Sequence, residues 1–162
     1  KESWSETAST TILGTTSVSE THTVTDYKWE DVGSLNGVPA GRYYVPIKST
    51  TTVSSSGYDI FGGSWSTDPY TIVQEYGIKD DWYEEGEPAR SVWGYTINGV
   101  DAYKGGTFIV TQTGGGEDVF GNQNTTTTTL LFEVIKGQRV VKESWSETAS
   151  TTILGTTSVS ET

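Results

Sequence analysis

The 162-residue chain contains no cysteine and no methionine, a single histidine, and ten basic residues against 21 acidic ones. The lack of cysteine excludes a disulfide framework, a thiolate zinc site and a cysteine nucleophile together. One histidine cannot make a zinc site by clustering, and it forces any Ser-His-Asp relay through His22. Asp26 is nearby in sequence, but on a strand it would stand about 13 Å from His22, beyond hydrogen-bond reach. With a net charge of −11, the chain has too few Lys and Arg to neutralise a phosphate backbone, so no nucleic-acid partner is expected. Anionic membrane surfaces are disfavoured for the same reason. No apolar run approaches the roughly 20 residues of a membrane-spanning helix, so no membrane insertion is expected, and no basic, apolar leader is recognisable.

Helix formers are also scarce, with five Leu and five Ala, whereas Val, Ile, Tyr, Trp, Phe and Thr together supply 71 residues. That balance predicts an all-β chain. Period-two alternation runs through Tyr43, Val45, Ile47, Ser49, Thr51 and Val53, and again through Tyr70, Ile72, Gln74, Tyr76 and Ile78, as in strands with one wet face. Asn98-Gly99 lies between apolar alternations and Asn36-Gly37 precedes Pro39; both are hairpin-turn signals. The run Thr125 to Thr129 is β-branched and predicts an extended hydroxyl ladder. Trp82 to Ala89, with Glu84, Glu85, Glu87 and Pro88, is at most one helical turn. The expected architecture is an antiparallel β-sandwich, immunoglobulin-like in style, of seven to nine strands, several of them long.

The chain repeats itself. Residues 1–21, KESWSETASTTILGTTSVSET, recur unchanged at 142–162, an offset of 141 residues. The segment has neither tag nor linker composition, and Leu131 to Val141 run into Lys142 without a Gly/Ser spacer. Residues 1–141 are therefore read as one full repeat unit, and 142–162 as the opening of the next, placed to complete the sheet of the first. A weaker echo links Gly57-Tyr58-Asp59-Ile60-Phe61-Gly62 with Gly116-Glu117-Asp118-Val119-Phe120-Gly121. Two halves of a sandwich and two independent Gly-x-Asp turns both account for it.

Chemistry-bearing residues fall into three groups. Asp80, Asp81, Glu84, Glu85 and Glu87 crowd one segment with Trp82 and Tyr83. Glycosidase carboxylates normally come from different strands, so a solvated acidic turn or Ca²⁺ coordination competes with catalysis here. The second group is Gly114, Gly116, Asp118 and Phe120, with Glu117 between, and its partial copy Gly57, Asp59 and Phe61. These fit most positions of the calcium-binding nonapeptide G-G-x-G-x-D-x-U-x, and in those two places the chain resembles the repeats of RTX proteins. Parallel turns of that kind make a β-solenoid or β-roll the alternative fold, and a Gly turn closed by Asp is the simpler alternative for the motif. The third group is Trp65, Trp82, Tyr83 and Trp93, near loop ends where aromatics can stack on sugars.

Long identical units, absent cysteine, strong acidity and Thr-rich β sequence together resemble the extender region of a giant RTX-type bacterial surface adhesin. The resemblance implies a non-enzymatic spacer on the bacterial cell surface, stiffened by Ca²⁺, whose partners are neighbouring repeats of the same chain. It would give Asp59 and Asp118 to the metal, and the acidic clusters add Glu117, Asp80, Asp81 and Glu85 as candidate ligands. The competing expectation is a carbohydrate-binding module whose platforms are Trp65, Trp82, Tyr83 and Trp93, with glycans as partners.

Overall fold

The computed structural model describes residues 1–11, 14–33, 35, 38–82 and 90–162, with the side chains of 79–82 and 90–92 left aside. The described residues contain no helix. They form eleven strands: β1 (Glu2–Thr10), β2 (Thr16–Val32), β3 (Gly41–Tyr58), β4 (Ser64–Thr67), β5 (Tyr70–Trp82), β6 (Arg90–Ile97), β7 (Val100–Asp101), β8 (Gly106–Glu117), β9 (Gln123–Ile135), β10 (Gln138–Thr151) and β11 (Thr157–Glu161). All belong to one open antiparallel sheet, so the β-roll alternative, which stacks parallel strands, does not describe this chain.

The sheet has a spine and a branch. The spine runs β1-β2-β3-β4-β8-β9-β10-β11. At β3 the far edge is shared, because Ser56 to Tyr58 pair with β4 while Lys48 to Val53 pair with β5. From β5 the branch continues through β6 to β7 and folds over β8 and β9. The interface between branch and spine is the hydrophobic core: Ile72 and Ile97 from the branch meet Val110, Phe132 and Val134 from the spine. Phe108 and Phe132 stack across the pair β8–β9 with centroids 5.1 Å apart. Two layers therefore arise from one continuous sheet, which is how the expected sandwich is realised.

Turn chemistry fixes the register. Asn98 and Gly99 have φ of 46° and 82°, the left-handed pair that a two-residue hairpin needs to match strand twist. Asn98 Oδ1 also accepts the Val73 amide at 2.7 Å. Lys136 and Gly137 take the same conformation, with φ of 48° and 79°. This second turn pins the branch, since Gly137 N donates to Ala102 O at 2.6 Å and the Tyr95 hydroxyl donates to Gly137 O at 2.9 Å. Asn36-Gly37 lies outside the described residues; the flanking Leu35 and Val38 exchange backbone hydrogen bonds of 3.1 and 2.9 Å. Of the segment Trp82 to Ala89, Trp82 ends β5 and the rest lies outside the described residues.

The hydroxyl ladder forms on several strand pairs. Thr126 and Thr128 hydroxyls meet those of Thr148 and Ser146 at 2.9 and 3.0 Å, and Thr23 meets Thr51 at 3.0 Å. Ser49, the one buried polar residue among the described residues, is satisfied by Thr25 at 3.1 Å.

The core assignment has a direct test. Replacing Phe132, 6 % exposed, by Ala deletes a ring between the two layers and lowers the unfolding free energy by about 3–5 kcal/mol. Phe120, 74 % exposed, tolerates Ala with a change within about 0.5 kcal/mol. Urea denaturation of the two variants measures both.

Candidate functional site

In an antiparallel spine the turns β1–β2, β3–β4, β8–β9 and β10–β11 all emerge at the same rim. They share one construction. In each five-residue turn the first amide donates to the fifth carbonyl, and the fourth amide donates back to the first carbonyl. This occurs at Thr11 to Thr15, Asp59 to Gly63, Asp118 to Asn122 and Thr152 to Thr156, with lengths of 2.8 to 3.3 Å. The fourth residue is always glycine, with φ between 81° and 95°, the left-handed position that closes a three-residue hairpin loop. The first residue caps the turn with its side chain. Asp59 Oδ1 accepts the amides of Phe61 and Gly63 at 2.8 and 3.0 Å, and Thr152 Oγ1 accepts that of Thr156 at 3.1 Å.

The Gly-x-Asp echo is thus a recurring hairpin turn on neighbouring strand pairs rather than two halves of a sandwich. Asp118 spends both carboxylate oxygens on its own turn: Oδ1 accepts Phe120 N and Asn122 N at 2.8 and 2.9 Å, and Oδ2 accepts Asn122 Nδ2 at 2.8 Å. Asp59, Glu117 and Asp118 do line one rim pocket of about 350 Å³. No group of three or more His, Asp or Glu among the described residues is placed to hold a metal ion. Ca²⁺ takes six to eight oxygen ligands, and Asp118 already commits both carboxylate oxygens to its own turn. Asp80 and Asp81 lie on β5 with side chains outside the described residues, and Glu85 lies outside them altogether.

A second feature is organised around Trp65. On β4 it pairs with Gly57 of β3 on one side and Gly116 of β8 on the other. A side chain at Gly57 would start 2.5 Å from Trp65 Nε1, so glycine there lets the indole lie down over the sheet. Trp65 stays 40 % exposed in an open groove of about 650 Å³ edged by Tyr58, Glu117, Gln123 and Asn124. An exposed indole ringed by amides, hydroxyls and a carboxylate offers a sugar one apolar face and several hydrogen-bond partners. Trp93 is half-buried beside Tyr76 and Ile78 in a separate pocket, away from Trp65. Trp82 has its side chain outside the described residues, and Tyr83 is not among them.

The sequence reading missed an aromatic cluster. Tyr44 stacks on Tyr27 and packs against Trp29, each at 5.3 Å, and the Arg42 guanidinium lies 5.9 Å over the Trp29 ring. Trp29 and Tyr44 are both 59 % exposed. The available signal was Tyr27 and Trp29 at i and i+2 of one strand, facing the Tyr43-Tyr44 pair across a turn. His22 lies flat against Trp4, centroids 3.6 Å apart and 10° from parallel, and its Nε2 is enclosed without a hydrogen-bond partner.

Comparison with protein-family models, with curated proteins and with solved structures found no match.

The rim turns predict an acid-sensitive contribution to stability. The Asn122 side-chain amide, joined by the backbone amides of Asn122, Phe120 and Gly121, holds the Asp118 carboxyl below its ordinary value. A depressed carboxyl stabilises the fold above the unfolded-chain value of about 3.9 and loses that contribution as pH falls through the folded value. Asp118→Ala is therefore less stable than the parent at neutral pH, and the gap begins to close below about pH 4. Thermal melts of both proteins between neutral and acid pH measure the gap.

Proposed function

We propose that the chain is a non-enzymatic structural repeat of a tandem array, serving as a spacer in an extracellular bacterial surface adhesin that holds a ligand-binding tip away from the cell. One observation supports this reading above the others. The 21 residues present twice build the same hairpin twice, pairing Ala8 with Val18 and Ala149 with Val159 in the same register. The two hairpins sit at opposite edges of the spine. A unit whose entry and exit lie at opposite edges extends an array instead of folding it back, and length then grows in proportion to copy number. The net charge of −11 disfavours lateral association of neighbouring arrays. Calcium belongs to this proposal as a stiffening ion of the acidic segment Asp80 to Glu87 and of the rim carboxylates Asp59, Glu117 and Asp118, supported by the acidic excess.

Chains of one, two and four periods decide the matter by small-angle scattering. The expected result is a maximum dimension that rises by a constant increment per period while the cross-sectional radius of gyration stays fixed. Particles that grow in all directions, or do not lengthen, reject the spacer.

A second reading, glycan binding, is favoured by the groove at Trp65. Under it, the soluble protein binds a subset of a glycan array, and Trp65→Ala lowers that binding at least about tenfold, as removal of a stacking anchor does. Signal that is absent, or that is unchanged in the variant, rejects it.

A further inference from the structure

We infer that consecutive repeats share one uninterrupted sheet, the hairpin at 142–162 being at once the last two strands of one unit and the first two of the next. The free edge of β11 is then filled by the β3 of the next copy of this unit, and the free edge of β1 by the β9 of the preceding one. This rests on the array reading proposed above and specifies how its units join.

The residues that would occupy each edge are on display within the chain. Strand β10 adds to β9 with Trp145 opposite Thr129, Ser146 opposite Thr128 and Thr148 opposite Thr126. The same sequence in β1 pairs with β2 and leaves its outer edge open. Conversely, β2 adds to β3 with Thr16 opposite Tyr58, Val18 opposite Ser56 and Glu20 opposite Ser54, while β11, identical to the start of β2, has its outer edge open. Placing the β1–β2 hairpin of a second copy on β10–β11 brings that copy's β3 beside β11 in a register already realised once in the molecule.

Burial agrees at each position. Ser5, Thr7, Ala8 and Ser9 are exposed on β1, while Ser146, Thr148, Ala149 and Ser150 are half-buried on β10. Val18 is half-buried with β3 alongside it, while its counterpart Val159 is 61 % exposed. Trp4 stacks on His22 and is 72 % exposed; Trp145 has β9 beside it and is 45 % exposed. Space is reserved as well: a side chain at Gly14 would collide with Ile60, whereas nothing stands within 4 Å of that position at Gly155. The next copy's Ile60 fits the vacant place. Six spine strands then recur per repeat, β1, β2, β3, β4, β8 and β9, an advance of about 29 Å at ordinary strand spacing.

The test compares the 162-residue chain with an unbroken two-period chain, residues 142–162 alone being isotope-labelled by ligation. Amide exchange is followed by NMR. Alternate amides of Thr157 to Glu161 face outward and exchange freely in the shorter chain. In the two-period chain they are expected to slow by about a hundredfold or more as they bond to the second β3. Exchange that stays free in the two-period chain overturns the shared sheet. Scattering separates that failure from failure of the array reading: constant lengthening with free exchange means units strung as beads, and no lengthening means no spacer.

Discussion

A sheet strand is satisfied only when both of its edges have partners, because each residue places its amide and carbonyl sideways and a strand at the margin leaves half of them unpaired. Everything distinctive here follows from how that requirement is met. Interior spine strands are paired on both sides, several of them over more than ten residues, and the margins are two copies of one sequence. Closing into a barrel would remove the margins. This sheet stays open, with β1 and β11 at its margins.

The branch β5–β6–β7 solves a different problem. A flat spine of Ser and Thr strands would have no dry core, since hydroxyl ladders bury little apolar area. Folding the branch across β8 and β9 concentrates the burial where the spine sequence turns apolar, at Val110, Leu130, Phe132 and Val134. The Lys136-Gly137 turn ties the end of β9 to Ala102 and Tyr95, so the layer is held at its rim by hydrogen bonds as well as by packing. Beyond the branch the same spine is bare, and there the glycines at 57 and 116 let Trp65 settle onto the sheet.

Much of the fold was legible because it is local. Alternation marked the strands, Asn98-Gly99 marked a hairpin, and the absence of sustained helical periodicity matched an all-β chain. The turn at Lys136-Gly137 was not legible, since lysine takes a positive φ there without the Asn or Asp that usually announces it. The Gly-x-Asp motif was legible as chemistry but ambiguous in role. The same residue types serve an ion or a turn, and the turn role shows only in the hydrogen bonds of Asp59 and Asp118 to amides two and four residues on. Trp65 was flagged for its loop-end position. Its platform, however, depends on two cross-strand glycines, Gly57 and Gly116, far apart in sequence, and no single-strand pattern reveals that juxtaposition. The cluster of Tyr27, Trp29 and Tyr44 was missed for the same reason, being made across β2 and β3.

The repeated hairpin is poorly equipped to stand alone, and that weakness is informative. It sets like charges directly opposite each other, Glu6 against Glu20 and Glu147 against Glu161, an arrangement that opposes pairing. Most of its remaining cross-strand partners are Ser and Thr, and an isolated two-stranded hairpin is marginal even with better pairs. Its order must come from flanking strands. At 1–21 the support is β3, which pairs with β2 along the whole length of that strand; at 142–162 it is β9, across the nine registered positions from Glu143 to Thr151. A segment that sequence makes weak and neighbours make strong is suited to a junction, with β9 able to support one side of it and β3 the other. The mutual repulsion of its glutamates also disfavours pairing between stray hairpins, so the register offered by β9 and β3 faces little competition from self-association of the free segment.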